Sequence, residues 1–277
     1  MLRRILLAVV AGLVGAGVVV AFASPAHTPA GPGQQPSSRP SSSPSSTPST
    51  PSPSAAPLAG TTVALDPGHQ LGNGHFPRET TRIVDAGTLD KACNTVGTAT
   101  DAGLPEATVN FRVAKRVARQ LRALGATVRM TRTGNSARRW GPCVDVRGRF
   151  GGRVGADLTV SIHADGAGAT LHGFHVIIPS PRSPDTADIA PASRRLGLAI
   201  RAALDGAGIA RSDYVGAGTA LSVRADLGTL NLSTVPVVMV ELGNLRNAVD
   251  ARRLSRPSGE RRYADALVAG VRAFLGR

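Results

Sequence analysis

Acidic residues are missing from the first 57 positions, where Arg3, Arg4 and Arg39 are the only charged side chains. Lysine is almost absent throughout: Lys91 and Lys115 are the only two, so the formal net charge of +14 is carried by arginine. Aromatic residues amount to 3%, with Trp140 the sole tryptophan, which leaves little material for stacking platforms under sugar rings or bases. Cysteine is limited to Cys93 and Cys143, far too few for a disulfide-framed scaffold. Neither belongs to a Cys-x-x-Cys pair of the kind that holds structural zinc. No internal repeat is visible. Apolar residues are plentiful, at 42% of 277 residues, which excludes a disordered polyelectrolyte for most of the chain.

The charge-free stretch at the start has the pattern of an export signal. Met1 to Arg4 supply a short positive region, Ile5 to Phe22 carry no charge, and Ala21-Phe22-Ala23 has the small-x-small form of a cleavage site. Residues 1–23 therefore read as a signal peptide or, because the apolar run is just long enough to span a bilayer, as an N-terminal membrane anchor. In either case the remainder works outside the cytoplasm. Residues 24–57 are dominated by Ser, Pro, Ala and Thr and form a disordered tether rather than a core. Residues 58–277 hold all the acidic residues and enough apolar ones for a single catalytic-size domain, expected to act as a monomer. In an exported chain, Cys93 and Cys143 are expected to pair with each other.

Past residue 58 the hydrophobic pattern alternates between short apolar runs and longer periodic ones. Thr62 to Leu65 is a buried strand closed by Asp66-Pro67-Gly68, which presents His69. Val109, Val113, Val117, Leu121 and Leu124 recur at three- and four-residue steps, predicting a helix that begins at Glu106 and stops at Gly125. Further strands are expected at Ala126–Thr131, Leu158–Ile162, Phe174–Ile178 and Val237–Val240. Further helices are expected at Val144–Val154, Ala192–Leu204 and Arg261–Leu275. This order predicts an α/β fold, with a mostly parallel central sheet sandwiched by helices.

Three polar residues stand at the ends of apolar strands, where open α/β sheets bind their ligands: His69, His163 and Glu241. Each has a bland explanation, since a histidine at a strand end is commonly a hydrogen-bonded structural residue. Glu106, in a first helical turn, is favoured there by the helix dipole alone. The set is more informative than its members. Two imidazoles and a carboxylate form the protein side of several catalytic zinc sites, and a second carboxylate nearby can carry a proton.

Four local sequences, in order, resemble the zinc-dependent N-acetylmuramoyl-L-alanine amidases of the type 3 family. They are Leu65-Asp66-Pro67-Gly68-His69, Gly103-Leu104-Pro105-Glu106, Val160-Ser161-Ile162-His163-Ala164 and Val240-Glu241-Leu242-Gly243-Asn244. Thr131-Arg132, Gly173-Phe174 and Leu245-Arg246-Asn247 add to the likeness. The resemblance implies one zinc ion per chain held by His69, Glu106 and His163, with Glu241 as the catalytic carboxylate. It implies as substrate peptidoglycan or muropeptides, cleaved between N-acetylmuramic acid and L-alanine. The departures are Gln70-Leu71-Gly72-Asn73 after the first histidine, Asp165 where relatives have Asn, and an insertion from about Leu71 to Asp101.

Two other functions compete: a zinc carboxypeptidase or endopeptidase acting within the stem peptide, and a non-catalytic wall-binding regulator. His75, His172 and His175 are alternative ligands or substrate contacts, read first as structural or solvated. The basic surface suits anionic wall polymers. Nucleic acid is disfavoured by export and by the lack of interleaved basic and aromatic residues.

Overall fold

The computed structural model describes residues 56–181 and 186–277. The expected signal or anchor at 1–23, and the tether as far as residue 55, lie outside the described residues. Among the described residues, no helix is long and apolar enough to cross a membrane. Leu58 is the first core residue: its side chain is buried and its N–H donates to the Leu124 carbonyl at 2.8 Å.

The apolar run after Thr61 forms β1 (Thr62–Pro67). The Gly- and Asn-rich insertion holds a short helix α1 (Pro77–Thr81) and a hairpin of β2 (Ile83–Asp85) and β3 (Asp90–Ala92). Next come α2 (Glu106–Ala123), β4 (Thr127–Met130), α3 (Val144–Gly148), α4 (Phe150–Arg153), β5 (Leu158–Asp165) and β6 (His175–Pro179). The chain finishes with α5 (Ala190–Gly206), β7 (Leu221–Arg224), α6 (Gly228–Asn231), β8 (Val237–Asn244), α7 (Ala248–Leu254) and α8 (Pro257–Phe274). The helix expected over 144–154 is thus two short ones meeting at Arg149.

Six strands form one sheet in the order β4-β1-β5-β8-β6-β7. The first four are mutually parallel, and β6 turns back to pair antiparallel with β8. The reason lies in the connection: residues 166–174 join β5 to β6 and are too few for a crossover helix.

One face of the sheet packs Val63, Leu65, Val160, Ile162, Val238 and Val240 against the apolar stripes of α2, α5 and α8. Each such side chain stabilises the fold by roughly 1.5–3 kcal/mol when fully buried. Gly270 lets α8 approach α5 closely, because a β-carbon there would lie 2.6 Å from the Ile200 Cα. The opposite face carries a smaller apolar group, Ile177, Val237 and Met239, with Leu230 of α6. Nearer the carboxyl ends of β1, β5 and β8 that same face turns polar.

Candidate metal centre

Strand register decides which polar residues meet. Asp66 pairs with Ser161, His163 with Glu241, and Glu241 in turn with His175. Residues in register on neighbouring strands share a face, so β1, β5, β8 and β6 present these side chains side by side. His69 joins them from the turn after β1, and Glu106 from the first turn of α2.

The ligand atoms of His69, Glu106 and His163 all lie within 4.8 Å of one another. The Nε2 of His69 is 3.2 Å from one Glu106 oxygen, and the Nδ1 of His163 is 3.1 Å from the other. The two imidazole rings meet edge to face, with centroids 4.9 Å apart. The Nδ1 of His69 is 3.0 Å from the Thr95 carbonyl, which can only accept. That fixes the hydrogen on Nδ1 and turns Nε2 toward the cluster.

Glu106 is 4% exposed and fully engaged. Its Oε2 accepts from the Thr98 N–H at 3.0 Å; its Oε1 accepts from the Asn110 amide at 3.0 Å and the Ala164 N–H at 3.2 Å. Burial alone would raise its pKa, but His69 and His163 outweigh it and hold the carboxyl well below the usual range. Burial also works against charge on His69, yet Glu106 and the Thr95 carbonyl raise its pKa.

Glu241 is the reverse. One of its oxygens is buried without a hydrogen-bond partner. Burial first, then repulsion from Glu106 and Asp165, push its pKa well above that of an ordinary glutamate, with Arg224 opposing. It stands outside the three-residue cluster, next to His163.

Glycines make room for this arrangement. A β-carbon on Gly68 would fall 2.2 Å from the His163 ring, and one on Gly97 would fall 2.6 Å from Glu106 Oε2. His69 itself has φ of 58°, a left-handed conformation that costs a non-glycine residue energy. Two buried arginines hold the turn there. Arg132 donates to the carbonyls of Pro67 (2.9 Å) and Gly68 (3.1 Å), and Arg147 to those of Pro67 (3.0 Å) and His69 (2.9 Å). Burial, together with Arg147 nearby, lowers the Arg132 pKa to about 9. Arg147 also pairs with Asp66, whose carboxylate accepts from Thr131 and Ser161 as well.

The insertion supplies Thr95, Gly97 and Thr98 to this wall, and Cys93 beside them is bonded to Cys143, 50 residues on. The departures noted in the sequence have structural partners. Gln70 is buried and bonds Gly134, Leu71 and Ser136, while Asp165 accepts from the Tyr214 hydroxyl at 3.0 Å. His75 lies against the Ala137 carbonyl, and His172 pairs with Asp213 at 2.9 Å, both apart from the cluster. His175 borders Glu241 but is not in the ligand set; burial lowers its pKa to about 4.

Sequence reasoning missed Asn110, Thr95, Thr98 and Arg147. For Asn110 a signal existed, since it stands four residues after Glu106 beside the apolar stripe of α2. For the other three no local pattern did.

Known proteins share this architecture. Residues 63–273 match the family described as N-acetylmuramoyl-L-alanine amidase. An N-acetylmuramoyl-L-alanine amidase of Mycobacterium tuberculosis is 36% identical over 220 residues, covering 79% of this chain and 88% of that protein. The crystal structure of the N-acetylmuramyl-L-alanine amidase Ami1 from Mycobacterium smegmatis is 38% identical, with a TM-score of 0.73 over 79% of this chain and 98% of that one. Its counterpart from Mycobacterium abscessus, in the apo form, gives 38% and 0.73 over 79% of this chain and 100% of that one. On this likeness, joined to the fold and the clustered side chains, the chain belongs to the N-acetylmuramoyl-L-alanine amidase family.

Proposed function

We propose that this chain is an exported, zinc-dependent hydrolase that cuts the amide between the lactyl group of N-acetylmuramic acid and the L-alanine of the peptidoglycan stem. The observation that carries it is the set of His69, Glu106 and His163 within ligand distance of one another, with the spare carboxylate of Glu241 in register beside His163. The donor set fits zinc: two imidazoles and one carboxylate, with the His69 tautomer fixed so that Nε2 faces inward. When bound, zinc supplies Lewis-acid polarisation and brings the pKa of water from 15.7 toward about 7.

The residues of the chain do the rest. Glu241 takes the proton of the attacking water and delivers it to the departing nitrogen of L-alanine, which leaves poorly unless protonated. Its raised pKa suits both halves of that transfer. Glu106 stays anionic and stationary, fixed by Thr98, Asn110 and Ala164, so it serves to hold rather than to shuttle protons.

The test is product analysis by mass spectrometry after incubating the zinc-loaded protein with a muramoyl-peptide. The expected products are a sugar bearing a free lactyl acid and an intact peptide beginning at L-alanine. Stem residues left on the sugar would show a peptidase instead and overturn the proposal. Glu241→Ala is expected to retain zinc without turnover, whereas His163→Ala loses the metal.

A further inference from the structure

A cavity edged by arginines lies where α7 meets α8, and none of the residues of the metal cluster lines it. It encloses 460 Å³, and its wall includes Arg252, Arg253, Arg256 and Arg262, with Ser258 in the first turn of α8 and Tyr263 one turn further. Among the described residues Arg252 and Arg256 form no ion pair with a carboxylate, while Asp250 lies 4.0 Å from Arg253 and accepts from the N–H groups of Gly173 and Asn244. Tyr263 is 1% exposed, yet its hydroxyl has no hydrogen-bond partner. That hydroxyl exposes essentially no surface, so the charged donors at the cavity are the four guanidiniums. The first-turn amides of the 18-residue α8 add donors of the same polarity.

The cavity is not isolated. A neighbouring one of 370 Å³ shares Arg252 and Arg256 with it and adds Ser255. A third, of 410 Å³, shares Ser255 and brings in Arg112, Lys115, Arg116 and Arg119 from the outer side of α2. Two acids lie within this track: Glu260, buried beneath Arg112 and Arg116, and the exposed Asp101, paired with Arg246 at 2.9 Å. A track of cations beginning in a pocket of forked donors fits a chain of repeated anions whose oxygens point several ways. Phosphodiesters place a tetrahedral anion, with two charged and two bridging oxygens, in the backbone at every repeat, whereas a carboxylate offers two oxygens in one plane.

We propose that the α7–α8 cavity and the basic track beside it bind a phosphodiester-linked polymer, one phosphate seated among Arg252, Arg253, Arg256 and Arg262. The site holds the protein on an anionic polymer of its surroundings and is separate from the residues that cleave the amide. Nucleic acid is a poorer fit, because the track presents no exposed aromatic face to a base.

The experiment measures binding of the full chain to a labelled poly(glycerol phosphate) oligomer by fluorescence anisotropy. The double variant R252Q/R256Q is expected to bind about tenfold or more weakly. R129Q/R138Q removes the same charge from exposed arginines elsewhere and is expected to change binding less than about twofold. Equal weakening by both double variants would overturn the proposal in favour of net charge alone. Polyglutamate, or single-stranded DNA of equal charge, binding as tightly as the phosphodiester would overturn it too. Hydrolysis of a soluble muramoyl-peptide, read in parallel, stays at the wild-type rate in R252Q/R256Q. Absence of hydrolysis in the wild type would count against the amidase reading and leave the binding result standing.

Discussion

Two carboxylates flank His163, and their surroundings are opposite. Glu106 receives hydrogen bonds from a backbone N–H of the insertion, another of β5 and an amide of its own helix, and it faces two imidazoles. Glu241 has an oxygen buried with no partner and shares its neighbourhood with Asp165 and Glu106. The same functional group is therefore pinned as an anion at one position and kept at high proton affinity at the other. The contrast between the two acids comes from two imidazoles beside Glu106 and from burial and like charge around Glu241, not from residue type.

The contrast is sharpest in a pair of isosteric substitutions. Glu241→Gln is expected to lower turnover by about 10²–10⁴-fold while zinc content, read by atomic absorption, stays at the wild-type level. Glu106→Gln is expected to lose the zinc itself. Equal zinc loss in both would break the distinction.

The next effect tests the support beneath the His69 turn. Asp66→Asn leaves Arg147 buried without its charge partner and is expected to cost about 3–5 kcal/mol in urea unfolding at neutral pH. Burial opposes ionisation of Asp66, but Arg147, Thr131, His163 and Ser161 together lower its pKa below 3.8 in the folded state. Its contribution is complete above the unfolded value and is lost as pH falls through the lower folded value. Wild type and variant should therefore begin to converge in stability below about pH 4 and meet only once the pH is below the lowered folded value. Curves that stay parallel there would assign the loss to packing.

Smaller still is the effect of removing the disulfide. Replacing Cys93 and Cys143 by Ser opens a 50-residue loop and is expected to cost up to about 4 kcal/mol, commonly less. It loosens Thr95 and Thr98, so zinc affinity falls with it, while residues around Glu241 are untouched. Least disruptive is Asn110→Ala, which removes one donor from Glu106. Zinc affinity, by competition with a chelator, is expected to drop about 10-fold or somewhat more, with turnover at saturating zinc nearly preserved.

The elements that carry the cluster were legible because each has a strong periodic or apolar signature. The strands leading to His69 and Glu241 carry apolar runs, the one leading to His163 alternates Leu158, Val160 and Ile162 with Thr159 and Ser161, and the stripe from Val109 to Leu124 fixes α2 and hence Glu106 at its start. Less legible were short or half-exposed elements: β7 buries only part of Leu221 and Ser222, and the β2–β3 hairpin has Ile83 exposed. The reversal of β6 depends on a connection length that periodicity does not encode. The partners of Glu106 and His69 were invisible for another reason. Thr95, Thr98 and Ala164 act through backbone atoms, which any residue supplies, and Arg147 reaches the His69 turn from 78 positions away.

Gly68 contributes no atom to chemistry and none to charge, yet the His163 ring occupies the volume where any other residue would place its first carbon. Position 68 is in effect a socket, defined by what it leaves out. Surveys that look for reactive groups pass over it, and even the smallest enlargement there shifts an imidazole that the whole site is aligned upon.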